Sequence, residues 1–259
     1  MYSLRIALSF LTTMPLPSLP AEAFLSGQGR AFAWYPAVGL LIGLLLSGAA
    51  FLLAQAALSP QVQSGLLLLG WVLITGGLHL DGVMDSCDAL FAPVSVARRL
   101  AILKDVHTGA FGVLGLFFVL GLKWALLAEL LGQPGGWLTL HPALLLAPLW
   151  GRWVLVWAAW RFPYARPGES LGRTMTGSLS RREALIATLT ALAIHSGLAF
   201  WQSDLWAVVL VVPLVYLLAR WAAGKLGGGL TGDLYGFLCE TTEGLVLLAL
   251  VLLGGAIPV

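Results

Sequence analysis

The sequence predicts an all-α fold: a polytopic membrane bundle of about seven transmembrane helices, forming one domain over residues 1–259. Three observations predict it. Of the 259 residues, 59% are hydrophobic and only 10% charged, whereas a soluble domain carries about 25% charged residues. Mean hydropathy is +0.92. Lys and Arg alternate between successive connections, the pattern that positive-inside topology imposes.

Residues 1–30 contain Arg5, a short apolar run and "AEA" at 21–23, which imitate a secretory signal. Thr12, Thr13, Pro15 and Pro17 interrupt that run, so the segment is read as a short interfacial or re-entrant helix. Candidate spans follow at 31–55, 63–90, 110–132, 138–161, 184–202, 205–223 and 233–256. The second is long enough to project past the bilayer as one continuous helix, since about 28 residues at 1.5 Å each exceed a hydrocarbon core near 30 Å. The fifth is the weakest, with His195 and Ser196 inside it.

Arg5 and Arg30 precede the first span. Arg98, Arg99 and Lys104 follow the second. Arg161, Arg166, Arg173, Arg181 and Arg182 follow the fourth, and Lys225 follows the sixth. The connections near 56–62, 133–137 and 203–204 carry none. This predicts a cytoplasmic N-terminus and an external C-terminus. Net charge of +2 excludes the basic footprint of a nucleic-acid binder. Cys87 and Cys239 are two small side chains in or beside apolar helices, not a disulfide or metal framework.

Against this background "HLDGVMDSCDAL" at 79–90 stands out. Asp81, Asp85 and Asp88 fall within about a 60° arc of one helix. His79 falls nearly opposite Asp81 and is left out of the set. Like charges on one face repel, and the C-terminal end of a continuous second span disfavours anions. A solvated helix end accounts for one Asp. Three at this spacing call for positive charge, from Lys104, Arg98 and Arg99 or from a divalent ion; oxygen ligands without sulfur suit Mg²⁺ or Mn²⁺. In "LKDVHTGAFG", 103–112, Asp105 can complete the carboxylate set, Lys104 and His107 can contact phosphate, and Gly109 and Gly112 permit close approach.

"GGGLTGDLYGFLCETTEG" at 227–244 places Asp233, Gly236, Glu240 and Glu243 within about an 80° arc. Thr231 is the candidate N-cap of that helix, whose start is suited to an anion. Glu240 and Glu243 lie deeper, where acids need an interior partner or a water-filled cavity; Lys123 and Arg152 are the available cations, so ion pairing and a share in the site both stay open. In the loop 161–182, Arg166 and Arg173 are candidates for binding an anionic substrate, while Arg181 and Arg182 read as topological charges.

These motifs, with "FLTTMPLP", "YPAVGLLIGLL" and "FPYARPGESLG", closely resemble the cobalamin synthase (adenosylcobinamide-GDP ribazoletransferase) family over nearly the whole chain. The pattern departs at Ala89, where the family often has Gly, and at His107, where it often has Arg. The resemblance implies a multi-pass enzyme of the cytoplasmic (inner) membrane. It would join adenosylcobinamide-GDP to α-ribazole or its 5′-phosphate, give adenosylcobalamin or its phosphate, release GMP and require Mg²⁺. A fold distantly like the CDP-alcohol phosphotransferases comes with it. In that reading Asp81, Asp85, Asp88 and Asp105 hold metal, and Asp88 or Asp105 takes the hydroxyl proton. Lys104, His107, Arg166, Arg173, Thr231, Asp233 and Glu240 bind substrate. The partners are the two substrates and the lipid bilayer; further copies of the chain are compatible with the sequence. The competing readings are a CDP-alcohol phosphotransferase of lipid synthesis, an aspartate-rich membrane prenyltransferase, and a transporter with Asp233, Glu240, Glu243, Lys123 and Arg152 along an ion pathway.

Overall fold

A computed structural model describes residues 2–133, 137–166, 168 and 170–254. The described chain is helical apart from loops and one isolated bridge between Tyr164 and Leu230. In order come α1 (Tyr2–Leu11), α2 (Ala21–Ala31), a 3-10 turn (Phe32–Trp34), α3 (Tyr35–Leu53), α4 (Pro60–Thr75), α5 (Leu78–Phe91) and α6 (Val96–Ile102). Then follow α7 (Ala110–Gly132), α8 (Trp137–Arg161), α9 (Leu171–Gly177), α10 (Arg181–Trp201), a 3-10 segment (Ser203–Leu210), α11 (Val211–Lys225) and α12 (Gly232–Gly254). Among the described residues six helices are long and apolar enough to cross a membrane, and α4 with α5 makes a seventh if that bent pair is one span. The chain is a multi-pass membrane protein.

The second span is not the continuous helix expected over 63–90. Gly76 and Gly77 both adopt left-handed conformations, φ +65° and +67°, which glycine enters without a Cβ clash. The Gly76 and Gly77 amides turn back to the carbonyls of Leu73 and Val72, closing α4 in the manner of a Schellman cap. Thr13 takes one more of that helix's last carbonyls and shares another: its amide donates to Ile74 (2.8 Å) and its hydroxyl to Leu73 (2.8 Å). The chain leaves at 93° as α5. Asp81 therefore stands in the first turn of a new helix, where the dipole favours an anion, and not at the end of a long one.

α1 is the short N-terminal helix expected, with Ile6, Ala7 and Leu11 buried. α8 forms the core. Its span Leu140–Arg161 is apolar all round and buried along most of its length, as a helix surrounded by others must be. α3 reaches it through Gly39 and Gly43, where any side chain would strike the α8 backbone at Pro148 and Leu144; small residues four apart are a recurrent route to close contact between membrane helices. Outward faces are oily: Phe117 and Phe118 of α7 are 68% and 65% exposed, an apolar area that suits lipid and not water. His195, the polar residue of the weak fifth span, is buried and accepts a hydrogen bond from Trp150 Nε1 (3.2 Å). Cys87 and Cys239 are free and buried.

Deep between α7, α8 and α12 lies a four-charge network. Lys123 Nζ donates to Glu240 Oε2 (2.5 Å) and to Glu243, and Arg152 Nη1 donates to Glu243. None of these side chains is more than 7% exposed. Lys123 also lies 4.8 Å from the centroid of the Trp71 ring. Two cations meet two anions, so the cluster is neutral as a whole, which is what makes charge tolerable at this depth. Of the two roles left open for Glu240 and Glu243, the structure supports pairing for both.

Removing one member leaves a charge uncompensated. Glu243→Gln is expected to cost about 3–5 kcal/mol and to lower the detergent melting temperature more than Asp81→Asn does. The double variant Lys123→Met/Glu240→Gln, which removes one charge of each sign, should lose less than the two single losses added together. Thermal unfolding of wild type, Glu243→Gln, Asp81→Asn, the double variant and its two component single variants in one detergent is the test. A Glu243→Gln protein that melts like wild type yet lacks activity would move Glu243 from scaffold to site.

Candidate functional site

α5 and α12 cross at glycines. A Cβ on Gly82 would sit 2.6 Å from the Asp233 carbonyl oxygen, and one on Gly236 3.1 Å from the His79 backbone. Backbone contact at these two points brings Asp81 and Asp233, 152 positions apart, onto the lining of one cavity of about 260 Å³. Arg166 lines it as well. On this lining Asp81 lies at the surface with Leu78 and Gly232, Asp233 and Arg166 are half-buried, and Tyr35, His79, Met175 and Tyr235 are buried. The cavity thus opens to water at a charged end and closes on aromatic and apolar walls.

Arg166 holds the charged end together. Its Nη2 donates to Asp233 Oδ2 (2.5 Å) and to the carbonyl of Leu103, which closes α6. Its Nε is buried without a partner. The loop that carries it is fixed by a two-bond pairing: the Ala165 amide donates to Leu230 (2.8 Å), and the Leu230 amide to Pro163 (2.9 Å). Thr231 occupies the expected cap position, its carbonyl accepting from the Tyr235 amide (3.1 Å). Its hydroxyl does not cap the backbone but donates to Asp233 Oδ2 (3.1 Å). Asp85 lies within electrostatic reach of Asp233, Asp81, Arg166 and Asp88. Of these carboxylates, only that of Asp233 is bonded to the guanidinium among the described residues.

The remaining expected site residues fall elsewhere. Asp88 turns toward the start of α7, where Oδ2 accepts from the Gly109 amide (2.7 Å) and Oδ1 from the Gly112 amide (2.9 Å). Both oxygens serve as a remote cap, because Gly109 has no side chain to cap the helix itself. Asp105 does not complete the α5 set. It is exposed, and the His107 ring Nδ1 (2.7 Å) and amide (3.1 Å) both donate to it. Those bonds hold its carboxyl below the usual carboxylate range. Lys104 and His107 are exposed in the same loop and do not line the cavity. Arg173 is exposed and props the loop, donating to the carbonyls of Arg166 (2.7 Å) and Tyr164 (3.4 Å). Glu240 belongs to the buried network and lines a separate groove between α7 and α12. Among the described residues no three His, Cys, Asp or Glu groups close on a point that would hold a metal ion. The expected four-carboxylate set is thus not assembled: Asp88 and Asp105 are engaged by other partners.

Sequence reasoning missed His79, Tyr35, Tyr164 and Tyr235, all on the lining. His79 projects away from Asp81 on an ideal helix, which places it off the acidic face. Both belong to the first turn of α5, however, and at a helix end the cavity reaches more than one face. A tyrosine in each of "YPAVG", "FPYAR" and "GDLYG" was a signal in plain sight.

The profile of the family described as cobalamin-5-phosphate synthase matches residues 3–251. A relative from Stutzerimonas stutzeri (strain A1501), named adenosylcobinamide-GDP ribazoletransferase, is 42% identical, over 97% of this chain and 98% of its own. Proteins of the same name from Deinococcus radiodurans and Roseiflexus sp. (strain RS-1) are 40% and 39% identical. Each match covers 95% of this chain, and 84% and 88% of those proteins respectively. No solved structure matches the chain.

The two aspartates of the α5 motif should separate in stability. Asp88→Ala strips the α7 amides of their acceptors and is expected to cost about 0.5–2 kcal/mol. Asp81→Asn loses a favourable first-turn charge but relieves like-charge repulsion, and should melt within about 0.5 kcal/mol of wild type. Paired thermal unfolding curves in detergent decide; equal stability of the two variants would remove the capping role of Asp88.

Proposed function

The chain belongs to the cobalamin-5-phosphate synthase family, and on that premise we propose that it is an adenosylcobinamide-GDP ribazoletransferase like its named relatives. It joins adenosylcobinamide-GDP to ribazole or ribazole 5′-phosphate, giving adenosylcobalamin or its phosphate. A ribose hydroxyl of the acceptor attacks the phosphorus that bears the cobinamide. A new P–O bond forms, the diphosphate P–O bond breaks, and GMP leaves with the bridging oxygen. The observation that carries this reading is the convergence of Asp81, Arg166 and Asp233 at the open end of one cavity, from three motifs remote in sequence.

Such a transfer needs positioning and charge neutralisation more than covalent chemistry. Arg166, which lines the cavity, is suited to grip the diphosphate. Asp81 has no ion-pair partner among the described residues and lines the cavity, so it replaces Asp88 and Asp105 as the carboxylate that takes the hydroxyl proton. The all-oxygen donor set at this end is the kind that hard cations prefer. Mg²⁺ keeps several waters and takes one or two carboxylates plus substrate phosphates. The residues therefore fit an ion that arrives with the diphosphate and would bind on the Asp81 side of the cavity, with Asp85 within electrostatic reach and without a protein-only cage. Bound there, Mg²⁺ would neutralise charge on the transferring phosphoryl group.

The site faces the cytoplasm in this reading. The cavity is lined from the start of α3, the end of α8 and the start of α12, and the Lys/Arg rule puts all three ends on the cytoplasmic side. The same alternation requires α4 and α5 to cross once as a broken span, with an N-terminus inside the cell and a C-terminus outside the cytoplasmic membrane.

GMP release from adenosylcobinamide-GDP and α-ribazole by protein in nanodiscs tests the reaction. Asp81→Asn and Arg166→Gln should each lower turnover by about 10²-fold or more while the protein still inserts; near-wild-type rates in both would sink the assignment. Reporter fusions at the two termini should report opposite sides of the membrane, and a shared side would mean that α4 and α5 do not cross.

A further inference from the structure

The walls of the cavity are unlike its charged end. Phe10, Tyr35, Leu155, Met175 and Tyr235 line it, and apart from the more exposed Phe10 all are buried. At about 260 Å³ it is smaller than the roughly 300–1,000 Å³ of sites that enclose whole drug-sized ligands. It has room for one ring system, not for a corrin macrocycle or an entire nucleotide. The Tyr35 and Tyr235 hydroxyls and His79 Nδ1 are buried with no hydrogen-bond partner, although nearly all buried polar atoms have one. The enclosure is therefore apolar and aromatic, with only a few unclaimed hydrogen-bonding atoms.

Polarity separates the ring systems of the two substrates. Guanine carries donors and acceptors along its edges, and most would be left unpaired between these walls, each a desolvated group with no compensating bond. A largely apolar azole base asks for one partner, at its free ring nitrogen, and so leaves far fewer groups to satisfy. Resting on the transferase reading above, we propose that this cavity seats the base of the nucleoside acceptor, a flat and mainly apolar nitrogen heterocycle. The ribose then lies toward Asp81 and Arg166, where its hydroxyl meets the phosphorus, and the guanosine and corrin remain outside.

The test uses the full chain in nanodiscs, with kinetics in each substrate and calorimetric titration of α-ribazole and of GMP. Met175→Trp fills the enclosure and is expected to raise the KM for α-ribazole about tenfold or more, leaving that for adenosylcobinamide-GDP within about twofold. Phe10→Ala enlarges it and should improve turnover of a riboside bearing a three-ring base relative to α-ribazole. Equal KM changes for both substrates, no change in either, or a loss confined to adenosylcobinamide-GDP would overturn the assignment. If Met175→Trp fails to fold, Phe10→Ala decides, and absence of any gain for the larger base overturns it. Wild-type turnover tests the reaction separately. Should that be absent, α-ribazole that binds wild type and not Met175→Trp would keep the base site while the reaction fails; α-ribazole that does not bind wild type would overturn both.

Discussion

One stripe of α12 sets the arrangement of the rest. Asp233, Gly236, Glu240 and Glu243 share a face of that helix, and each is held differently. At depth, Glu240 and Glu243 are clamped by Lys123 of α7 and Arg152 of α8. Charges in an apolar medium have no alternative partners, so the clamp admits few rotations of α12 about its axis. One turn nearer the surface, Gly236 rests on α5 at His79. The same rotation then aims Asp233 at Arg166. The ion network does not line the cavity, yet it determines which way the cavity's second acid faces.

The other acid depends on a break. Without the two left-handed glycines at 76 and 77, the second span would carry Asp81, Asp85 and Asp88 off its C-terminal end, among carbonyl dipoles of the wrong sign. The break restarts the helix and gives Asp81 a favourable first-turn position. It also lays α5 across α12 and against α7, where glycines at 82, 109 and 112 admit backbone or carboxylate contacts that no side chain would allow. Asp88 is drawn into one of those contacts. Two aspartates seven residues apart thereby separate, one open to the cavity and one committed to holding α7 in place.

The division of labour fits chemistry at a membrane surface. Charged groups gather where water and phosphate can reach them, while the enclosed part of the cavity is built from the rings and methyl groups that the bundle already has in abundance. Arg166 links these regions mechanically, because its guanidinium ties α6, the loop after α8 and the start of α12 at one point. Arg173 supports that link from outside through backbone carbonyls, a part that a lone arginine in a basic loop does not announce.

Composition and periodicity alone determined a great deal: the all-helical membrane bundle, the positions of most spans, the acids that share a helix face, and the two cations available to the buried glutamates. These are local or additive properties, and a helix of known period exposes them directly. The motifs also carried the family. The tertiary structure alone decided which acids meet. Asp81 and Asp233 come together, and Asp105 does not join them, because helix crossings and a 93° bend position side chains that no spacing along one helix can relate. It alone decided that Asp88 caps a neighbouring helix, that Glu240 pairs with Lys123, and that His79 and the buried tyrosines line a cavity. A hydrogen bond or a cavity wall belongs to at least two elements at once, and the sequence of either one does not contain the distance between them.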